Sequence, residues 1–284
     1  MSRIVYVNGE FLPEEDAKIS VFDRGFLMAD AVYEVTSVLD GKLCEYPGHA
    51  ARLKRSLDAL DMAPPCTDAE LLQIHRDLVE KNEIDEGLVY LQVTRGAADR
   101  DFNWADDLTP GLVLFTQKKS LRQSPTAAKG IKVVSIEDLR WGRRDIKTTQ
   151  LLFPSWAKMQ AKAQGADDAW LTDPEGLVNE GTSNNAYIVK GGKIITRHLS
   201  NDILHGITRA SVLRLAEEAQ LQIEERPFTI AEAQEAEEAF YTSASSFVCP
   251  VVEIEGSKLG EGTPGPITKR LREIYIDNSL ANAI

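Results

Sequence analysis

Residues 143–149 read Arg-Arg-Asp-Ile-Lys-Thr-Thr, and residues 178–186 read Val-Asn-Glu-Gly-Thr-Ser-Asn-Asn-Ala. The first stretch contains one lysine, Lys147. The second contains one carboxylate, Glu180, and a dense run of hydroxyl and amide side chains follows it at once. A lysine by itself carries little information, because the chain contains 32 lysine and arginine residues and most such side chains are solvated. A lysine that reacts as a nucleophile must give up its proton, which burial and neighbouring cations favour. The clustering of these groups therefore indicates a chemical site.

The composition is that of a globular protein with enough apolar material for a sizeable core. The 284 residues are 43% hydrophobic, and the net charge of −12 argues against nucleic acid or an anionic membrane as a partner. Three cysteines and four scattered histidines form neither a disulfide framework nor a zinc pattern. The chain starts on a strand-like run rather than a signal peptide, and no apolar run reaches the roughly 18 residues of a membrane span. We therefore expect a soluble cytoplasmic protein without a metal site.

Apolar patterns and turn signals predict strands and two helices in the first half of the chain. Asn8-Gly9 supplies the positive φ angles of a two-residue turn, so residues 4–11 are expected to form a hairpin. The sequence further predicts strands at residues 32–39, 88–94 and 112–116, and helices that begin at Pro47 and after Thr67, where Thr67-x-x-Glu70 is a capping box. Residues 1–116 are therefore predicted to form an N-terminal α+β domain.

The second half of the chain begins after a stretch without apolar periodicity. This stretch, residues 117–130, is predicted to be an interdomain linker. Residues 131–284 are predicted to form a larger C-terminal domain, with a strand at residues 131–136 and helices that begin near Pro154, Ile207, Thr229 and Pro266. Thr229-x-x-Glu232 is predicted to be a second capping box. Its many short strands and turns suit a barrel-like sheet better than a doubly wound parallel one.

Four short motifs link the chain to a known family. They are Lys147-Thr148, the run around Glu180, Gly206-Ile207-Thr208-Arg209 and His49-Ala50-Ala51-Arg52-Leu53. Together they resemble the motifs of the fold-type IV (class IV) pyridoxal phosphate aminotransferases, and the likeness runs nearly end to end. It implies a mixed α+β fold of two domains, a small N-terminal α+β domain and a larger C-terminal barrel-like α/β domain that binds pyridoxal 5'-phosphate.

The resemblance also assigns roles to the matching residues. Lys147 is the catalytic lysine that binds the cofactor covalently, and Glu180 lies against the pyridine nitrogen, so that the ring draws electrons from the substrate. The start of a helix, whose free N–H groups favour an anion, holds the phosphate together with an arginine. The implied cofactor-binding residues are Arg52, Lys147, Glu180, Ser183, Asn184, Ile207, Thr208, Ser243 and Ala244. Tyr33 is assigned to the substrate side of the cofactor.

Two further segments are most similar to the D-amino-acid branch of this family. They are residues 22–34 (Phe-Asp-Arg-Gly-Phe-Leu-Met-Ala-Asp-Ala-Val-Tyr-Glu) and residues 92–100 (Gln-Val-Thr-Arg-Gly-Ala-Ala-Asp-Arg). In that branch the second segment ends in Arg-x-His and holds the substrate α-carboxylate, whereas this chain reads Arg100-Asp101-Phe102. Arg100 keeps the charge that pairs with a carboxylate, and Phe102 replaces a donor by apolar surface. Both are predicted to bind substrate.

The predicted reaction is the transfer of an amino group from a D-amino acid to a 2-oxo acid by a ping-pong route. Because Phe102 departs from the branch pattern, an (R)-selective amine transaminase and a branched-chain aminotransferase remain alternatives, and an aminodeoxychorismate lyase is a weaker one. A catalytically silent protein of the same fold is disfavoured by the intact Lys147, Glu180 and Arg52. The resemblance further implies a homodimer.

Overall fold

The computed structural model describes residues 2–284, along which strands and helices alternate. The strands are β1 (Ile4–Val7), β2 (Glu10–Pro13), β3 (Ala31–Leu39), β4 (Lys42–Leu43), β5 (Glu86–Thr94), β6 (Gly111–Lys118), β7 (Ile131–Glu137), β8 (Asp168–Thr172), β9 (Val178–Gly181), β10 (Asn185–Lys190), β11 (Lys193–Thr196), β12 (Gln222–Glu225), β13 (Glu238–Ser243), β14 (Phe247–Ile254) and β15 (Ser257–Lys258). The helices are α1 (Arg24–Met28), α2 (Tyr46–Asp58), α3 (Asp68–Lys81), α4 (Pro125–Lys129), α5 (Leu152–Ala163), α6 (Ile207–Glu218), α7 (Ile230–Gln234) and α8 (Pro266–Asn282). The predicted strands and helices are all present, with ends that differ by a few residues.

The chain divides into two compact units that do not follow chain order strictly. Unit 1 contains the residues up to Ser120 together with Ile146–Gln150 and Ser279–Ile284, and unit 2 contains Leu121–Asp145 and Leu151–Asn278. Ile146–Gln150 belongs to unit 1 because it pairs with β3. The Tyr33 N–H donates to the Lys147 carbonyl and the Thr149 N–H donates to the Ala31 carbonyl, both at 3.0 Å. The sequence-based division assigned this segment to the C-terminal domain. A short segment that pairs with a strand of the first sheet changes neither the local composition nor the apolar periodicity, so the sequence does not reveal the pairing.

Within the described residues, unit 1 contains a six-stranded sheet in the order β2-β1-β6-β5-β3-β4, with antiparallel neighbours throughout. Asn8 (φ 47°) and Gly9 (φ 107°) form the predicted turn between β1 and β2. Helix α2 packs against β3, and α3 packs against β1 and β6. Leu53 and Leu57 of α2 and Leu78 of α3 join the apolar core that covers the sheet. The sheet thereby holds β3 firmly between two neighbouring strands.

Unit 2 contains, among the described residues, a nine-stranded mixed sheet in the order β12-β11-β10-β13-β14-β7-β8-β9, with β15 beside β14. The pairs β11–β12, β7–β14 and β7–β8 are parallel, and the remaining pairs are antiparallel. Strand β9 returns to β10 through a tight turn, in which the Gly181 N–H donates to the Asn184 carbonyl at 2.8 Å, and the two strands also contact each other. The sheet therefore curls on itself, and the predicted barrel-like fold is confirmed.

The predicted linker contains more regular structure than its composition indicates. Strand β6 extends to Lys118, and α4 begins at Pro125, where the Ser124 hydroxyl accepts from the Ala127 N–H at 3.3 Å. A helix of five residues is too short to show an apolar period, which is why the sequence did not predict it. The boundary between the two units along the chain falls at Ser120.

The two predicted capping boxes have different outcomes. At α3 the box is complete, because Thr67 accepts from the Glu70 N–H and the Glu70 carboxylate accepts from the Thr67 N–H. At α7 Thr229 accepts from the Glu232 N–H at 3.1 Å, but the Glu232 carboxylate pairs with the guanidinium of Arg226. A charged partner outcompetes a backbone N–H for a carboxylate, so the second box is half formed.

Candidate active site

Lys147 lies beside an aromatic ladder on the sheet of unit 1. Its Nζ is 4.1 Å from the centroid of the Tyr33 ring. Tyr33 stacks on Tyr90 with centroids 5.6 Å apart, and Tyr90 stacks on Phe115 at 4.7 Å. The ladder follows from the pairing of β3, β5 and β6, which places one ring from each strand on the same face. The half-buried amine of Lys147 is thus positioned by backbone pairing and by a ring face that attracts a cation.

A buried ionic triad lies next to this site on β3 and α2. The Glu34 carboxylate accepts from Arg52 Nε and Nη2, both at 2.7 Å, and its Oε2 is 2.8 Å from His49 Nδ1. The three residues are at most 4% exposed. Burial disfavours the charge of Glu34, but Arg52 and His49 lower its pKa to about 2, and burial lowers the pKa of His49. The two-point contact fixes the plane of the Arg52 guanidinium, which is the group predicted to bind the cofactor phosphate.

The stability of the protein is expected to depend on Glu34 in acid. Its folded pKa of about 2 lies below the ordinary value of 4.5, so the stabilisation is complete above pH 4.5 and is lost as the pH falls towards 2. The shift corresponds to on the order of 3 kcal/mol. Urea unfolding at several pH values should show a shallower loss of stability between pH 4.5 and 2 for Glu34→Gln than for the wild type. Identical slopes would contradict this role of Glu34.

Glu180 is held by a separate buried network in unit 2. Its Oε1 accepts from Arg140 Nη1 at 2.8 Å, its Oε2 accepts from Asn185 Nδ2 at 2.9 Å, and the Leu204 N–H donates to both oxygens. Burial raises the pKa of the Glu180 carboxyl, while Arg140 and the Leu204 N–H act in the opposite direction. Burial also opposes the charge of Arg140, yet Glu180 and Asp138 raise the pKa of the guanidinium. Glu180 therefore shares a charged arginine with a second carboxylate, and the network fixes its orientation.

The helix start that is predicted to bind phosphate lies next to this network in the same unit. Asn185 Nδ2 also donates to the Leu204 carbonyl at 2.9 Å, and a Cβ on Gly206 would come within 2.1 Å of Asn185 Oδ1. Glycine is therefore required where the backbone turns into α6. Gly206 offers the helix start no side-chain cap, so the N–H groups of Ile207 and Thr208 are suited to an anion.

The last predicted phosphate segment is brought towards the same end of the sheet. Asn185 on β10 pairs with Thr242 on β13, and β13 ends at Ser243. The α6 helix packs against β13. Ser243 and Ala244 are half-buried, and the Ser243 hydroxyl is 3.5 Å from that of Ser245. The structure thus gathers Glu180, the start of α6 and Ser243 within unit 2.

Two other predicted cofactor residues have different surroundings. Ser183 is exposed, and Asn184 is buried with its Nδ2 donating to Asp168 Oδ2 at 2.8 Å. Thr182 donates to the other oxygen of Asp168 at 2.5 Å. Side chains alternate across a strand and turn, so the two asparagines of this run face different partners. Of the two, Asn185 contacts Glu180.

Sequence reasoning missed two residues of the Glu180 network. Asn185 stands in the polar run that follows Glu180 and is the first residue of β10, whereas Asn184 belongs to the turn before that strand. Arg140 carries no signal in the sequence. It lies in an irregular segment after β7, and it meets Glu180 through the tertiary fold.

Arg100 and Phe102, the predicted substrate residues, lie in the loop between β5 and β6. Both are exposed, Phe102 to 79%, and the Arg100 guanidinium carbon is 5.7 Å from the centroid of the Phe102 ring. The Phe102 ring, which stands where the D-amino-acid branch has a histidine, therefore offers an aromatic face to the guanidinium of Arg100.

Each unit by itself contains residues that fit part of pyridoxal 5'-phosphate. In unit 1 an amine lies beside an aromatic ring. Unit 2 has an oriented carboxylate suited to a ring nitrogen, and a helix start shaped by glycine and a hydroxyl that are suited to a phosphate. Within residues 2–284 no group of His, Cys, Asp and Glu side chains is arranged to hold a metal ion. In the same range no helix has the length and apolar character needed to cross a membrane.

The chain is similar in sequence to known proteins of one family. The family model described as Amino-transferase class IV matches residues 31–254. A D-alanine aminotransferase of Staphylococcus aureus (strain MSSA476) is 36% identical over 270 residues and 95% of each chain. One from Bacillus licheniformis is 37% identical over 279 residues, 97% of this chain and 96% of its own.

Solved structures are similar over the same length. A branched-chain amino acid aminotransferase from Thermoproteus uzoniensis, solved with norvaline, has a TM-score of 0.89 and 25% identity, and covers 99% of this chain and 96% of its own. The Escherichia coli branched-chain amino acid aminotransferase has a TM-score of 0.91, at 21% identity over 98% and 95%, and shows the shared fold. The family model spans most of the chain, so the protein belongs to the class IV aminotransferases.

Proposed function

We propose that this aminotransferase moves an amino group from a D-amino acid to a 2-oxo acid in two half-reactions, with pyridoxal 5'-phosphate as cofactor. The observation that carries the proposal is the buried Glu180 carboxylate, oriented by Arg140 and Asn185 beside the glycine-shaped start of α6. The D-alanine aminotransferases of similar sequence support the choice of donor.

Lys147 and Glu180 divide the acid–base work. The cofactor, when bound, supplies the electrophile and the electron sink that amino transfer needs. Lys147 Nζ carries the proton that leaves the substrate Cα, and Tyr33 limits where the amine can move, since its ring lies 4.1 Å away. Glu180 holds a proton on the ring nitrogen, because Arg140, Asn185 and the Leu204 N–H fix the direction of its carboxylate. The N–H groups at the start of α6, the Ser243 hydroxyl and Arg52 bind the phosphate.

Arg100 is the proposed partner of the substrate carboxylate. A guanidinium binds a carboxylate through charge-assisted hydrogen bonds, and Phe102 supplies apolar surface beside it. A branched-chain aminotransferase is the second candidate, because the ring of Phe102 favours an apolar substrate where the D-amino-acid branch has a histidine. An (R)-amine transaminase is a weaker candidate, since its amine donor would give Arg100 no carboxylate to bind. A lyase is a weaker candidate because it needs a different proton donor.

Arg100→Ala is expected to reduce kcat/KM for D-alanine by about 30- to 150-fold, which corresponds to a loss of about 2–3 kcal/mol. Turnover of (R)-1-phenylethylamine, which lacks a carboxylate, should fall much less. The measurement compares steady-state rates of wild type and variant with both donors. An equal loss on both would show that Arg100 positions something other than the carboxylate.

The same assay decides between the two candidates for the donor. D-Alanine and other D-amino acids should exceed L-leucine as donors for the wild-type enzyme. If L-leucine exceeded every D-amino acid, the branched-chain assignment would replace the proposed one, with the same cofactor and the same roles for Lys147 and Glu180.

The proposal includes a homodimer. Unit 1 exposes a run of apolar side chains before and within α1, at Ile19, Val21, Phe22 and Phe26, each at least 48% exposed. A contiguous exposed apolar segment of this kind is typical of an interface. Sedimentation is expected to give twice the chain mass of 31.4 kDa, and Val21→Ser with Phe26→Ser should weaken the association. An active wild-type monomer would contradict the dimer.

We also place the protein in the cytoplasm. Cys44, Cys66 and Cys249 form no disulfide with one another, which suits a reducing compartment. Recovery of the protein outside the cytoplasm on cell fractionation would contradict this placement.

A further inference from the structure

Two buried arginines of unit 1 converge on one carboxylate. Arg24 Nε and Arg95 Nε each donate to Asp30 Oδ2 at 2.8 Å. Arg24 is 3% exposed and Arg95 is 6% exposed. Burying two guanidinium groups is costly unless their remaining N–H groups also form hydrogen bonds. The acceptors of those hydrogen bonds therefore show which parts of the chain the two arginines hold in place.

The two arginines hold different parts of the chain. Arg24 Nη1 donates to the Asp101 carbonyl at 2.7 Å and to the Asn103 carbonyl at 3.4 Å. Arg95 donates to the carbonyls of Leu60 and Asp61 after α2. Arg24 therefore binds the main chain on both sides of Phe102, whereas Arg95 binds the segment that follows α2.

Trp104 covers the cluster from the loop. Its ring centroid is 4.0 Å from the guanidinium carbon of Arg95 and 5.7 Å from that of Arg24. The ring is 47% exposed, so one face lies on the guanidinium groups. Residues 101–104 are thus attached to unit 1 through Arg24 and through this ring.

The base of the same loop is fixed by backbone contacts. The Arg24 N–H donates to the Gly96 carbonyl at 2.9 Å, and the Ala98 N–H donates to the Phe22 carbonyl at 3.2 Å. Gly96 has φ +115°, and a Cβ there would come within 2.2 Å of the Thr109 carbonyl oxygen. Arg100 lies between this base and residues 101–103. The position of Arg100 therefore depends on the backbone contacts at the base and on the contacts of Arg24.

We propose that Arg24 is a positioning residue that sets specificity for carboxylate substrates, by holding the main chain on both sides of Phe102 and thereby fixing Arg100. The inference rests on the proposed function, in which Arg100 binds the substrate carboxylate. The contacts of Arg24 are to backbone carbonyls, which any side chain at position 102 would leave in place. The loop path is therefore set independently of the residue that replaces the family histidine.

Loss of Arg24 is expected to act on substrate binding rather than on the chemical step. Without the contacts of Arg24 the loop is less ordered, and it must become ordered each time Arg100 binds a substrate carboxylate. This cost in conformational entropy lowers the affinity for the substrate. The carboxylate is bound in both the ground state and the transition state, so KM should rise while kcat stays nearly unchanged. The effect should be the same for the amino donor and for the 2-oxo acid, since both carry the carboxylate.

The first arm of the test follows the loop without using activity. The holoenzyme is labelled with 5-fluorotryptophan, and Trp104→Phe identifies the ¹⁹F resonance of Trp104. In Arg24→Gln this resonance should shift, while the resonance of Trp170, which is fully buried in unit 2, stays in place. An unmoved Trp104 resonance overturns the proposal.

The second arm measures kinetics with D-alanine and 2-oxoglutarate. Arg24→Gln should raise both KM values at least about tenfold, with kcat within about threefold of the wild type. Arg95→Gln is the comparison variant, because it removes the other guanidinium from Asp30 and from the Trp104 ring but leaves both carbonyl contacts of Arg24 in place. Its KM values should rise clearly less than those of Arg24→Gln, and an equal rise in both variants would overturn the role of the carbonyl contacts.

Two further outcomes are distinguished by the design. If Arg24→Gln does not fold, Arg24→Lys keeps a cation beside Asp30 but lacks the planar fork, and it should raise both KM values in the same way. Unchanged KM values in a folded Arg24 variant overturn the proposal. A wild-type holoenzyme that turns over no amino acid refutes the proposed function instead, and this is seen before any variant is made.

Discussion

Lys147→Ala is expected to reduce turnover of D-alanine by at least about 10³-fold, because it removes the amine that carries the proton from Cα. The variant should fold normally. The contacts that place this segment on β3 are backbone hydrogen bonds with Tyr33 and Ala31, which the substitution does not touch. The measurement is single-turnover absorbance with D-alanine, together with circular dichroism and thermal unfolding of the same sample.

Lys147→Arg is the matched control for this prediction. It keeps a cation beside the Tyr33 ring, but a guanidinium does not lose its proton at neutral pH. It should therefore be as inactive as Lys147→Ala while it retains the wild-type thermal stability. Full activity of Lys147→Ala would end the assignment of Lys147 as the catalytic lysine.

Glu180→Gln is expected to lower kcat by about 10²- to 10³-fold, the usual effect of removing one oriented electrostatic group from an active site. The amide has nearly the same shape and keeps the buried site filled, but it does not hold a proton on the ring nitrogen. The loss of the charged contact to Arg140 should also cost about 1–3 kcal/mol of stability. Steady-state kinetics and urea unfolding measure the two effects separately.

Asp138→Asn separates the catalytic effect from the structural one. Asp138 accepts from the same arginine, with Arg140 Nη2 to Asp138 Oδ2 at 2.8 Å, and it also accepts from Asn179. This variant should lose a similar amount of stability but much less turnover, because Glu180 keeps its carboxylate and its contacts to Asn185 and Leu204. Equal losses of turnover would show that Glu180 acts through the integrity of the network alone.

The fold was predictable where the signals are local. The Asn8-Gly9 hairpin, the Thr67 cap of α3 and the long strands β3, β5 and β6 each follow from a few neighbouring residues, and the structure confirms them. The five-residue helix α4 was not predicted, because it is too short to show a period. The capping box predicted at Thr229 is only half formed, because the Glu232 carboxylate pairs with Arg226, a contact that the pattern Thr-x-x-Glu does not include.

In the candidate site, too, the local motifs were predictable from the sequence and the contacts between distant residues were not. The sequence by itself determined the family and the residue types of the chemistry, Lys147, Glu180, Arg52 and the Gly206 turn, because these groups lie in short contiguous motifs. Their roles remain predictions that the variants above test. The tertiary structure decided which groups orient them: Arg140 and Asn185 around Glu180, Glu34 around Arg52, and Arg24 beneath the Arg100 loop. Each of these contacts involves a buried charged side chain, which meets its partner when strands and helices pack. Burial makes an unpaired charge costly, so the fold supplies a partner for each, and neither spacing nor composition reveals it.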